Sequence, residues 1–262
     1  MTLVHPAYAQ LRQVTANAAV VLAENPSMMT LDGTNTWILR APGSDECVVV
    51  DPGPLDEAHL ARVARVPVAL TLVSHRHGDH TDGAGRFAEL TGTPVRAVDA
   101  RHRHGGGAGL ADGETIEAAG LRIRVLATPG HTADSLSFVV EDDRSVLTAD
   151  TILGRGTTVL DDSDGDLGDY LGSLRRLIDL GGGYTVLPGH GPDLPDLETV
   201  ARGYLAHREE RLDQVRAALR VLGDDATPRS VVEHVYADVD PSLWPVAEKS
   251  VNVQLEYLRS FA

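Results

Sequence analysis

Short apolar runs ended by turn-forming residues dominate the chain up to residue 195. Runs rich in Val, Leu and Ile predict strands, whereas longer stretches with apolar residues at every third or fourth position predict helices. The predicted strands are Ala19–Leu22, Thr36–Leu39, Val48–Val50, Val68–Ser74, the two arms of a hairpin within residues 112–127, Leu136–Val140, Ser145–Thr148 and Tyr184–Leu187; the predicted helices are Glu57–Ala64 and Tyr170–Leu180. The glycine-rich stretch 105–109 predicts a mobile loop.

The pattern changes after Pro195, where helical spacing replaces the short runs. One long helix is predicted over Leu197–Leu222, a second starts at Thr227-Pro228, and a third covers Leu243–Leu258. No strand pattern appears in this part. We therefore predict a strand-rich body at residues 1–195 and a small helical module at residues 196–262.

Composition narrows the class of protein. The net charge is −15, which argues against a protein that coats duplex DNA, because such a protein needs a basic surface. Cys47 is the single cysteine, so neither an internal disulfide nor a cage of thiolate ligands can form. We see no signal peptide near the start and no apolar run approaching the ~18 residues of a membrane span. A soluble cytoplasmic protein with no membrane partner is the expectation.

The segment Ser74–Gly83 carries the strongest chemical signal. His75, His77, Asp79 and His80 follow an apolar strand and precede a helix, and α/β folds place ligands at the carboxyl ends of strands. Three imidazoles and a carboxylate so close together favour a metal site over packing. Such ligands suit zinc, with iron and manganese left open.

Three later residues stand in the same kind of position, just after a predicted strand. His131 follows Thr128-Pro129-Gly130, Asp150 follows Ala149, and His190 follows Pro188-Gly189. Singly, each has an ordinary explanation as a turn residue. Together with the first motif they supply five His and two Asp, enough ligands for two metal sites.

These motifs, in this order, resemble the signature of the metallo-β-lactamase superfamily. Asp51-Pro52-Gly53 resembles its early Asp motif. The resemblance implies an α+β fold, a four-layer αββα sandwich with the metals at one edge of the two sheets. It also implies that His75, His77 and His131 hold the first zinc, that Asp79, His80 and His190 hold the second, and that Asp150 bridges both. Residues 1–195 would then be the catalytic domain.

The chain is most similar within that superfamily to the beta-lactamase-like protein 2 family. Gly33-Thr34-Asn35-Thr36 resembles the family's opening motif, and Pro188–Pro192 followed by Tyr204-x-x-His207-Arg208 resembles its continuation. The last helices resemble that family's winged-helix-like module. Since the chain stops at Ala262, a true wing is not expected.

Two divalent cations about 3.5–4 Å apart lower the pKa of a bridging water towards neutrality and so provide a hydroxide nucleophile. Asp79 and Asp150 are the expected catalytic residues: both reduce the net charge of the cluster, and Asp79 could orient the hydroxide. Asp51 is expected either to fix a ligand imidazole or to cap a turn.

Three residues are candidates for substrate contact: Asn35, His207 and Arg208. Asn35 has an alternative role in the Gly33–Asn35 turn. His207 and Arg208 could form a cationic edge, or lie on a solvated helix face with ion pairs to nearby glutamates. Arg101 and Arg103, beside the glycine-rich loop, are further cations at the predicted rim.

The leading hypothesis is a dinuclear zinc hydrolase that cleaves single-stranded RNA, which the closest resemblance implies. The alternative is hydrolysis of a small acyl substrate, a thioester or a β-lactam, as in glyoxalase II-like or polyketide-linked thioesterases. A third possibility is a nucleic-acid-binding regulator with a vestigial metal site, disfavoured because all seven ligand positions carry ligating residues. A flavin-coupled diiron protein would need a further domain. The sequence leaves the oligomeric state open.

Overall fold

The computed structural model describes residues 5–160, 163–238 and 240–260. Its first sheet has six strands in the same order in space as in sequence. They are β1 (Leu11–Gln13), β2 (Ala18–Leu22), β3 (Asn35–Leu39), β4 (Cys47–Val50), β5 (Val68–Leu72) and β6 (Val95–Arg96). β1 to β4 pair antiparallel, whereas β4, β5 and β6 pair parallel.

The second sheet has five strands in the order β11-β10-β9-β8-β7. They are β7 (Thr115–Ala118), β8 (Leu121–Ala127), β9 (Leu136–Val140), β10 (Ser145–Ala149) and β11 (Thr185–Pro188). Only β10 and β11 pair in parallel. Their carboxyl ends therefore reach the same edge of the sheet.

The two sheets face each other across a shared apolar core, and helices cover their outer faces. Strand β4 shows the arrangement: Val48 and Val50 lie in the core between the sheets, whereas Cys47 and Val49 lie in a cluster with residues of the outer helices. The helices of this body are α1 (Glu57–Val63), α2 (Gly78–Thr81), α3 (Ala84–Thr91) and α4 (Leu167–Ile178). The expected four-layer αββα sandwich is confirmed.

Three helices form the carboxyl-terminal part: α5 (Leu197–Leu222), α6 (Pro228–Val235) and α7 (Trp244–Arg259). The first half of α5 packs on the second sheet and α4 through Leu197 and Ala201, and its second half packs on α6 and α7 through Val215 and Ala218. Between residue 196 and residue 260 the described chain contains no strand, as expected. None of the helices in the described ranges combines the length and apolar character needed to cross a bilayer.

The sequence-based boundaries differ from the structure in a few places. β1 and β6 were not predicted, because runs of three and two residues carry no usable periodicity. Helix α4 starts three residues earlier than predicted, since the Asp166 side chain accepts a hydrogen bond from the Asp169 amide and caps it. Residues 105–109 hold no named helix or strand, but bridges from His104 and Gly109 to the β6 region anchor both ends of the stretch.

Candidate metal centre

Five segments meet at one edge of the sandwich and bring the seven predicted ligands together. They form two groups: His75, His77, His131 and Asp150; and Asp79, His80 and His190. Within each group the candidate ligand atoms all lie within 4.8 Å of one another. The seven residues come from the loop after β5, from helix α2, and from the ends of β8, β10 and β11, which explains why no single motif reveals the complete site.

The first group is three imidazoles around one carboxylate. His77 Nδ1 lies 3.1 Å from His75 Nε2 and 3.0 Å from His131 Nε2. Asp150 Oδ2 lies 3.6 Å from His131 Nε2 and 4.0 Å from His75 Nε2. Four ligands at about 2.0–2.2 Å from a tetrahedral zinc ion stand roughly 3.3–3.6 Å from one another. The first group therefore has nearly the spacing of a zinc site.

The second group has the same spacing. His80 Nε2 and His190 Nε2 lie 3.3 Å apart, and each is 3.2 Å from Asp79 Oδ2. Asp150 Oδ2 is also 3.2 Å from His190 Nε2. Because this one oxygen approaches both groups, Asp150 is in the position of a shared ligand.

Asp150 also shows a polar atom that the protein leaves unsatisfied. Its Oδ1 is buried, lies 3.5 Å from His80 Nε2 and has no hydrogen-bond partner among the described residues. A buried carboxylate oxygen without a partner is costly. A cation between the two groups would remove that cost, so the donor set fits a pair of divalent metals.

Four of the imidazoles direct Nε2 into the centre and hold Nδ1 against a second partner. His131 Nδ1 lies 2.6 Å from the Val159 carbonyl oxygen, and His190 Nδ1 lies 3.1 Å from the Gly33 carbonyl oxygen. A carbonyl can only accept, so in both rings Nδ1 carries the proton and Nε2 offers its lone pair to a metal.

Asp51 orients the other two of these rings. Its Oδ2 lies 2.9 Å from His80 Nδ1 and accepts a hydrogen bond from the Ser74 hydroxyl, which in turn lies 2.9 Å from His75 Nδ1. Asp51 Oδ1 accepts from the Ser74 amide. Of the two roles predicted for Asp51, the fixing of a ligand imidazole is the one the structure displays.

Electrostatics keep the carboxylates ionised. Burial raises the pKa of the Asp79 carboxyl, but the imidazoles of His80 and His190 outweigh it and hold that pKa well below its usual range. Burial likewise raises the pKa of Asp150, and the imidazoles of His190 and His80 outweigh it there too. Both residues therefore present negative charge to a cation near neutral pH.

The imidazoles divide into two kinds. Burial lowers the pKa of His75 and of His131, so both are neutral, the form that ligates a metal. Burial also lowers the pKa of His190, but Asp150 and Asp79 overcome it and raise that pKa to about 9. In the metal-free chain the carboxylates thus hold a proton on His190, and a bound cation would displace it.

Asn35 lies beside the centre, and its amide group supports the backbone. Asn35 Nδ2 donates to the carbonyl oxygens of Pro188 and Gly191, on either side of His190. Both amide protons are occupied, so any substrate contact would fall to Oδ1. This amide fixes the 188–191 segment and not the Gly33–Asn35 turn considered for it, and the substrate role stays a prediction.

The predicted cationic edge on α5 is not an exposed one. Arg208 is only 7% exposed, and its Nη2 donates to the Thr158 carbonyl oxygen. Burial, followed by the charges of Arg211 and Arg208, lowers the pKa of His207, so this ring is neutral near pH 7. Neither residue offers a free positive charge at the rim.

Several contributors were not predicted from the sequence. Ser74 stands next to the first histidine of the motif, so its position was a usable signal. The carbonyl groups of Gly33 and Val159 carry no signal, since every residue has one. The Thr34 hydroxyl donates to Asp79 Oδ2 at 2.9 Å and was interpreted only as part of a turn.

With the site defined, comparison with known proteins is unambiguous about the family. The sequence profile of the Metallo-beta-lactamase superfamily matches residues 29–190, and that of the Beta-lactamase associated winged helix domain matches residues 227–260. The chain belongs to the metallo-beta-lactamase superfamily and is a metal-dependent hydrolase of that fold. The two matched regions lie on either side of α5, and the predicted boundary at residue 195 stays a prediction.

Curated relatives carry three different descriptions. A lactamase-like protein of Penicillium aethiopicum is 32% identical over 82% of this chain and 69% of its own length. An atrochrysone carboxyl ACP thioesterase of Aspergillus chevalieri is 32% identical over 82% of this chain and 70% of its own. The beta-lactamase-like protein 2 homolog of Caenorhabditis elegans is 29% identical over 88% of this chain and 79% of its own.

Solved structures agree on the fold. A metallo-beta-lactamase family protein from Thermus thermophilus superposes with a TM-score of 0.74 at 24% identity, covering 93% of both chains. At this identity the likeness establishes the architecture alone.

Proposed function

We propose that the chain is a two-zinc hydrolase of acyl thioesters. His75, His77 and His131 would hold one ion, Asp79, His80 and His190 the other, and Asp150 both. Imidazole and carboxylate donors at tetrahedral spacing support zinc; iron and manganese are the alternatives that elemental analysis would reveal. When bound, the metals would activate water and polarise the carbonyl of the substrate.

The chain's own residues would orient the reactants. Asp79 is the ligand carboxylate that stays partly exposed, with a quarter of its side chain accessible, so it can accept a hydrogen bond from the attacking water. The Thr34 hydroxyl donates a hydrogen bond to Asp79 Oδ2 and so fixes this carboxylate. The buried face of the centre is closed by Asp51 and Ser74, which keeps water to the open side.

The basic residues near the rim are already paired, buried or neutral. This observation carries the choice of a thioester over RNA as the substrate. Arg101 is bound by Asp99 at 2.5 and 2.9 Å, and Arg103 donates to the carbonyl oxygens of residues 97 and 98. Together with buried Arg208 and neutral His207, these are the four groups that the sequence offered for phosphate contacts. Asp99 neutralises the charge of Arg101, whose side chain stays exposed, and a phosphate would have to displace existing hydrogen bonds to reach Arg103 or Arg208.

Single-stranded RNA cleavage is the second candidate. It rests on the similarity to the beta-lactamase-like protein 2 homolog and on a centre whose chemistry suits phosphodiesters as well as carbonyls. The thioesterase among the relatives at higher identity favours the first candidate.

The test is one panel of substrates under one condition. Zinc-loaded wild type is assayed on an acyl thioester, single-stranded RNA and a chromogenic β-lactam, with Asp150→Asn as the matched blank. We expect thioester hydrolysis by the wild type, at least about 100-fold faster than by Asp150→Asn, because loss of the shared charge weakens both sites. About two zinc ions per wild-type chain are expected by elemental analysis.

Efficient RNA cleavage that disappears in Asp150→Asn, with no thioester turnover, would reject the thioester proposal in favour of the second candidate. Wild-type zinc content and activity in Asp150→Asn would reject the shared-ligand assignment.

A further inference from the structure

Arg208 is a buried cation with an unusual set of partners. Its Nη2 donates to the Thr158 carbonyl oxygen, and its guanidinium carbon lies 5.0 Å from the centre of the Tyr170 ring. No carboxylate of the described ranges forms an ion pair with it. Burying a charge on a carbonyl and a ring costs more than leaving it exposed on α5, so the contacts that Arg208 makes call for an explanation.

Thr158, the residue that Arg208 holds, is connected to the metal centre in two ways. Its hydroxyl donates to the Asp150 carbonyl oxygen at 2.8 Å and lies 3.2 Å from that of Thr151. The carbonyl oxygen of the next residue, Val159, accepts a hydrogen bond from His131 Nδ1 at 2.6 Å. A shift of the 158–159 backbone would therefore move the shared carboxylate and a ligand imidazole together.

On its other side Arg208 faces helix α7. A cavity of about 10 Å³ is lined by residues that include Val159, Arg208 and Gln254. Arg208 Nε, a donor, and Gln254 Oε1, an acceptor, are both buried without a hydrogen-bond partner in the described part of the chain. The cavity between their residues is about the size of one water molecule.

We propose that Arg208 is a positioning residue of the metal centre: it clamps the 158–159 segment so that His131 and Asp150 stand at ligand distance, and Gln254 of α7 supports it from behind. This replaces the substrate contact expected for Arg208. It rests on the metal site of the proposed function but not on the choice of substrate.

The test measures metal binding, independently of turnover. Apo protein is titrated with Zn²⁺ against a chromogenic chelator, and with Co²⁺ to record the visible spectrum that reports ligand geometry. For Arg208→Gln we expect the affinity for zinc to fall about 10–100-fold, as when partners of metal ligands are removed, together with an altered Co²⁺ spectrum. Arg208→Lys should lose less, because a cation can still reach the Thr158 carbonyl, and Gln254→Leu should weaken binding in the same direction but less.

Two controls separate positioning from general stability. Arg202→Gln removes an exposed arginine of the same helix, paired with Glu198, and should leave affinity and spectrum unchanged. Leu212→Ala, one turn beyond Arg208, removes a buried core side chain. It should lower the unfolding temperature while changing zinc affinity by less than about threefold, because an apolar side chain forms no hydrogen bond to the 158–159 segment or to a metal ligand.

Three results would overturn the proposal. If Arg208→Gln kept the zinc affinity and the Co²⁺ spectrum of the wild type, the positioning role of Arg208 would be rejected. The same would follow if Leu212→Ala lost as much zinc affinity as Arg208→Gln. If Gln254→Leu kept the zinc affinity of the wild type, the supporting role of Gln254 in α7 would be rejected. A wild-type chain that binds no metal would instead reject the metal assignment itself, a result distinct from every variant effect.

Discussion

At the scale of single residues, backbone strain lies next to the metal centre. Asp51 has φ +55° and Ala149, immediately before Asp150, has φ +45°. Side chains other than glycine adopt this left-handed region at a cost of about 1–3 kcal/mol. The strained residues are Asp51, which orients His80, and Ala149, which precedes Asp150. Part of the free energy of folding therefore holds these side chains in position.

Gly189 is the residue where a single added carbon should do most harm. A Cβ there would overlap Asp150 Oδ1 and stand 2.9 Å from His80 Cε1. We expect Gly189→Ala to displace both ligands, lower zinc content below about one ion per chain and reduce activity at least about tenfold. Elemental analysis and steady-state rates measure this.

Gly172→Ala is the matched control, because a Cβ at Gly172 in α4 meets nothing within 4 Å. It should keep its zinc and gain about 0.5–1 kcal/mol of stability. Full zinc content in Gly189→Ala would show that the centre can accommodate a Cβ beside Asp150 and His80.

At the scale of elements, helix α1 is fastened to the first sheet through a buried histidine. His59 is 2% exposed, and its Nε2 lies 2.9 Å from the Thr36 hydroxyl at the start of β3. Burial lowers the pKa of His59 to about 4. The imidazole is therefore neutral in the folded protein and charged in the unfolded one over the range between the two pKa values.

This difference predicts a pH dependence of stability. Between about pH 6.5 and pH 4 the unfolded chain binds a proton at His59 that the folded chain does not, so stability falls as the pH falls through that window. A shift of this size corresponds to about 3 kcal/mol by about pH 4. Urea unfolding of metal-free wild type and His59→Gln measures it, since all other groups titrate in both.

The wild type should lose more stability than His59→Gln between about pH 6.5 and pH 4.5, and the two should vary in parallel above about pH 7. Parallel curves throughout would mean that His59 accepts a proton in the folded state.

The sequence predicts elements and ligands well where the signal is local. Apolar periodicity located β9, and the seven His and Asp residues that the fold brings together were found by their positions at the ends of predicted strands. Sequence reasoning failed for Arg208, because nothing in Tyr204-x-x-His207-Arg208 distinguishes an exposed arginine from a buried one. That distinction depends on Thr158 and Tyr170, which reach α5 only in the folded chain.

At the scale of the whole molecule, negative charge is in excess and the cations near the site are engaged. The chain has 38 acidic and 23 basic residues. Arg155 pairs with Asp32, and Arg76 with Asp164. The two charges of such a pair cancel locally. The excess of acidic residues therefore gives an approaching substrate a negative electrostatic potential.

That potential predicts that two thioesters with the same acyl group respond differently to salt. An acyl-coenzyme A carries phosphates and should be repelled, so its kcat/KM should rise several-fold between about 20 and 300 mM salt, as the Debye length shrinks from roughly 20 to 6 Å. The uncharged acyl-N-acetylcysteamine feels no such repulsion, and its kcat/KM should stay within about twofold. Because both substrates present the same carbonyl to the same centre, the ratio of the two salt responses isolates the long-range charge from the chemistry. A rate on the coenzyme A ester that falls with salt would mean that an uncompensated cationic surface guides anions to the centre, and single-stranded RNA would then become the better candidate substrate.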